Sequence, residues 1–154
     1  MATMHALDEA CQKTARNYAQ TAKSYGQAAH ILVRNEPVLA KGREPAFYLL
    51  VGFCLELSLK AVLLSEGMSL EEVRDFGHKL IEAFDAATER RYDPPFDVDS
   101  RARRIVKCIA PLHGAPYTLR YTGAETEVLH VPPPQHCVEV MDVLADLAHR
   151  LAWR

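Results

Sequence analysis

Apolar side chains recur at three- and four-residue steps along most of the chain, which is the helical period. From residue 6 to about residue 34 the apolar positions are Leu7, Ala10, Cys11, Ala15, Tyr18, Ala22, Tyr25, Ala29 and Leu32, predicting one long amphipathic helix. Pro37, Gly42 and Pro45 punctuate the connector that follows, and Pro45 suits the first turn of a second helix reaching Ser65, with Gly67 as its stop. Ser69 and Glu72 have the spacing of a capping box, which starts a short third helix. Gly77 interrupts it, and a helix is expected to resume from His78 to Arg91 with Leu80, Ile81, Phe84 and Ala87 on one side. Asp99 or Ser100 is placed to cap a helix through Ala110 whose buried side is Ile105, Val106 and Ile109. The stretch from Pro116 to Val131 changes to a strand-like pattern around Thr122-Gly123-Ala124-Glu125, predicting a short β-hairpin or extended arm. Three prolines, Pro132 to Pro134, then lead into a last helix with the stripe Val138, Met141, Leu144, Ala145, Ala148 and Leu151. The expectation is a single all-α domain over residues 1–154, an up-and-down bundle of about five helices.

One element breaks the amphipathic rule. Phe47 to Leu64 is apolar around nearly its whole circumference, as the central helix of a bundle would be. Its polar exceptions are Glu56 and Lys60, which share one line with Tyr48 and Gly52 at four-residue steps. Such a line faces a narrow window of solvent, a partner chain or a buried polar cluster. A membrane span is rejected, because each of these charges costs roughly 2.5–3.5 kcal/mol at a bilayer centre.

Composition narrows the field little further. The chain has 154 residues with a formal net charge of −2, so nothing draws it as a whole to nucleic acid, and any such site must be local. Four cysteines, Cys11, Cys54, Cys108 and Cys137, lie far apart without a CxxC pair, which favours free thiols in a reducing cytoplasm. Cys108 with His113, and His136 with Cys137, lack the spacing of a zinc site, and no phosphate-binding loop or nucleophile elbow is present. Neither a metal nor a cofactor is expected.

Gly52-Phe53-Cys54-Leu55-Glu56-Leu57-Ser58-Leu59-Lys60-Ala61, followed by Gly77-His78-Lys79-Leu80, resembles the HEPN superfamily, in which an E-x-x-x-K helix precedes a G-H-x-L segment. The likeness covers residues 44 to 90. It implies a helical bundle that dimerises. Many such proteins are metal-independent ribonucleases of toxin–antitoxin and other defence systems, and others are non-catalytic partners, often beside a nucleotidyltransferase. The nuclease motif of the family is an arginine followed four to six residues later by histidine, shared across a dimer. Here Arg74 and His78 have only three residues between them, and Lys107 rather than arginine precedes His113 at the longer spacing.

Two functional readings follow. A binding or regulatory module would hold RNA or a partner protein, using the basic run Arg101, Arg103, Arg104 and Lys107 to meet phosphates. A ribonuclease would build an atypical site from Arg74 and His78 with Lys60 and Glu56, histidine supplying acid–base chemistry and a cation stabilising the phosphorane. A contact from His78 to Glu56 would join the charged pair into a triad, whether for packing or for chemistry.

Overall fold

The computed structural model describes residues 8–34, 45–97, 100–114 and 131–154. Six α-helices lie among them: α1 (Glu9–Val33), α2 (Pro45–Ser65), α3 (Leu70–Asp75), α4 (Leu80–Arg90), α5 (Arg101–His113) and α6 (Pro134–Ala152). No strand occurs among the described residues. The hairpin or arm expected across 116–131 falls, apart from Val131, outside them.

The hydrophobic effect puts α2 at the centre. It packs against α1, α6, α4, α5 and α3, and from Phe47 to Leu64 most of its side chains are buried. Of its most apolar window 78% is buried inside the bundle, so a helix long and apolar enough to cross a membrane serves here as the core. α1 meets this core through a stripe of small residues, Ala15, Ala19, Ala22, Gly26 and Ala29, which lets two helices approach closely. A Cβ on Gly26 would sit 3.5 Å from Cys54 Sγ and 3.6 Å from Met141 Cε, an ordinary contact distance with nothing to spare.

Polar contacts set the helix directions. His30 bonds to Asp142 at 2.8 Å, Lys23 approaches Asp146 at 3.8 Å, and Arg16 Nε donates to the Ala152 carbonyl at 3.0 Å. Falling residue numbers in α1 thus meet rising numbers in α6, so the two helices are antiparallel. Several helix boundaries lie where their sequences place them. Gly67 takes φ +92° after α2, and Ser69 and Glu72 complete the reciprocal capping box of α3. Ser100 caps α5 by accepting the Arg103 N–H at 3.0 Å.

Two boundaries differ from expectation. α4 begins at Leu80, because Gly77 at φ +53° makes a turn that holds His78 and Lys79 outside the helix. α5 runs three residues past Ala110, carrying Pro111 within its last turn. A proline there forfeits one helical hydrogen bond. Burial of Leu112 and His113 and the Gly114 N–H on the Ala110 carbonyl at 3.0 Å offset that loss.

Candidate functional site

Three segments bring their polar side chains to one point in the core. α2 supplies Glu56 and Lys60, the turn between α3 and α4 supplies His78, and the end of α5 supplies His113. Glu56 is 6% exposed, Lys60 9% and His113 1%, whereas His78 is partly open to solvent. The Glu56 carboxylate is the hub. Its Oε1 accepts from Lys60 Nζ at 2.8 Å. Its Oε2 accepts from His78 Nδ1 at 2.8 Å and from His113 Nε2 at 2.6 Å.

Burial alone would raise the Glu56 carboxyl above the ordinary glutamate range. The hydrogen bonds from His113, Lys60 and His78 outweigh it and hold the group down at about 2. An ionised carboxylate only accepts, so both imidazoles carry a proton on the nitrogen that faces it. For His113 this fixes the Nε2–H tautomer and leaves Nδ1 buried without a hydrogen-bond partner among the described residues.

The His113 ring fits because residue 52 is glycine. A Cβ there would lie 2.4 Å from Nδ1 and 2.8 Å from Cγ of that ring. The line Tyr48, Gly52, Glu56, Lys60 therefore faces a buried polar cluster, with Gly52 as the notch for an incoming ring. Phe53 meets His113 edge-on at 5.0 Å and stacks with Tyr25 at 5.2 Å, while the rings of His78 and His113 are perpendicular at 5.5 Å. Beside His78 lies a cleft of about 540 Å³, bordered by Gly77, Lys79, Ile81, Ala110 and Gly114.

His78 does contact Glu56, which joins it with Lys60 into a triad. Arg74 does not join it: it is exposed in the last turn of α3 and takes no part in the hydrogen bonds of the cluster. His113 takes the place that sequence reasoning had left empty. Its sequence signal was Gly52, a missing side chain one turn before Glu56 in an otherwise apolar helix.

The basic run divides into two pairs. Arg101 on α5 bonds to Glu139 on α6, and Arg103 approaches Asp85 on α4 at 3.3 Å. These two tie α5 to its neighbours. Arg104 and Lys107 are exposed one turn apart without side-chain partners among the described residues. Arg104 and Lys107 are thus the two of the run that no described acid faces.

Chemically, the cluster places a carboxylate behind an imidazole at the edge of a cleft, an arrangement that fixes the tautomer and aim of a histidine. Neither family models, nor curated proteins, nor solved structures contain a match to this chain.

Proposed function

We propose that the chain is a HEPN-like helical domain acting as a binding or regulatory module for RNA or a partner protein, in a bacterial toxin–antitoxin or defence setting. The E-x-x-x-K line of α2 and the Gly77-His78-Lys79-Leu80 turn support the likeness, since the residues that carry it meet in one cluster. The observation that favours a module over a nuclease is the place of Arg74, which stands exposed on α3 and outside the hydrogen bonds that hold His78 and Glu56. In this reading the module works as a cytoplasmic homodimer, and a nucleotidyltransferase-type protein is a candidate partner.

RNA would be met by Arg104 and Lys107, whose charges are not already committed. Binding of a fluorescent single-stranded RNA, followed by anisotropy across a salt series, tests this. Replacing both residues by alanine should weaken binding and flatten the salt slope by about 1–2. Replacing Arg101 and Arg103 should do less. Equal effects from the two double variants would sink the assignment of this surface.

A second reading rests on the cleft. Glu56 Oε2 holds His78 from behind, as a positioned acid–base histidine requires, and His78 lines the cleft wall. Cleavage of mixed cellular RNA in EDTA, beside a His78→Ala variant, decides between them. Cleavage lost in the variant alone would make the protein a metal-independent ribonuclease. No cleavage by either protein supports the module.

A further inference from the structure

We propose that Glu56, His78 and His113 form a binding site for one divalent transition-metal ion of the zinc type, open to the cleft beside His78. One carboxylate oxygen and two imidazole nitrogens, from three separate segments, lie within 4.8 Å of one another. That donor set suits Zn²⁺, Co²⁺ or Cu²⁺ and is the two-histidine, one-carboxylate pattern of sites that keep a position open to water or substrate.

The second carboxylate oxygen is already occupied. Lys60 holds Oε1, so Oε2 is presented as a single donor toward the two rings. In the metal-free protein each ring points an N–H at Oε2. A neutral imidazole can move that proton to its other nitrogen, and the nitrogen facing Oε2 then offers a lone pair. The three atoms now joined by hydrogen bonds would be joined by a shared cation, with no net release of protons.

Geometry asks for a small expansion. The nitrogen–oxygen separations are 2.8 and 2.6 Å, whereas bonds of about 2.0–2.1 Å in a tetrahedron set its edges at about 3.3 Å. Glu56 and His113 are fixed on helices in the core. His78 comes from the partly exposed turn before α4 rather than from a helix, so the expansion falls on its side. Of the three ligands only His78 lines the cleft, so a water completing four-coordination would have to enter from that side.

Charge and hydrogen bonding limit which ions bind. The Lys60 ammonium opposes a second cation, and the relocated proton on His113 Nδ1 would be buried without a partner. Only metals that bond strongly to imidazole offset both costs, so Zn²⁺, Co²⁺ and Cu²⁺ are taken up while Mg²⁺ and Ca²⁺ are not.

The test is titration of the full chain with CoCl₂ followed by visible absorption, and with ZnCl₂ followed by calorimetry. One equivalent should bind, with the intense visible bands of four-coordinate cobalt, and MgCl₂ should give no response. His78→Ala, at a turn, keeps the helical circular dichroism spectrum and weakens binding at least about tenfold. Cys108→Ser and His136→Ala, outside the cluster, leave affinity unchanged. Absence of stoichiometric binding, binding indifferent to His78→Ala, or binding lost in Cys108→Ser would each overturn the proposal. None of these readouts involves RNA, so they stand or fall apart from the function proposed above.

Discussion

At the scale of single residues, Glu56 is the group on which the most rests. A buried carboxylate is tolerated because three donors surround it, and removing its charge leaves the Lys60 ammonium without its partner. Glu56→Gln should therefore cost about 3–5 kcal/mol, read as a lower urea midpoint at neutral pH. The acid response gives the same group a second reading. Its folded-state pKa of about 2 lies below the ordinary value of 4.5, so the unfolded chain binds the proton more readily. That stability is complete above about pH 5 and is lost as pH falls through 4.5 toward 2. At 1.36 kcal/mol per unit the difference amounts to about 3 kcal/mol. Wild-type protein should lose more stability than Glu56→Gln over that interval, and parallel losses in the two would contradict the assignment. Gly52 makes a narrower case. Gly52→Ala places a methyl where the His113 ring stands, and overpacking of this kind costs about 1–3 kcal/mol although alanine is the better helix former. Thermal denaturation of the variant should show a fall in Tm, whereas a rise would mean the ring moves aside freely.

Among the elements, local signals were the legible ones. The capping box of Ser69 and Glu72, Pro45 at the start of α2 and Gly67 after its end are chemistry within one turn, and each is found where its spacing places it. α5 shows where such reasoning stops. The expected helix stopped at Ala110, whereas the observed one runs on through Pro111, because the sequence does not show that Leu112 is buried or that His113 packs against Gly52 and Phe53 of α2. The same limit hid the fourth member of the cluster. Glu56, Lys60 and His78 lie within 23 residues and could be linked by spacing, while His113 comes from 57 residues beyond Glu56. A run of bases likewise does not reveal the acids that face it on other helices, here Glu139 beside Arg101 and Asp85 beside Arg103. The start of α5 is open to direct test. Ser100→Ala removes the acceptor for the Arg103 N–H and should cost about 1 kcal/mol in urea denaturation, against only a few tenths for Ser100→Gly.

Taken as a whole, the molecule buries three of its four thiols. Cys11, Cys54 and Cys137 are buried on α1, α2 and α6, and Cys108 is exposed on α5. Burial pushes the Cys54 thiol up to about 12 and pushes Cys137 to the same value. Both are protonated and out of reach of a thiol reagent. Native protein should react rapidly at one thiol per chain with dithiobisnitrobenzoate, and at four in denaturant. The rate for the slow class should follow global opening of the bundle, because exposing those thiols requires separating the helices that enclose them. A second fast thiol in native protein would show that α1 or α6 detaches on its own.

The missing side chain at residue 52 also constrains descent. A lineage that gains a side chain there must give up the ring at 113, and one that loses the ring is free to fill the gap. Substitutions at the two positions should therefore be inherited together. In any set of diverged sequences, glycine opposite histidine would mark chains that retain the buried cluster. A larger residue opposite a smaller one would mark those that have traded it for ordinary packing.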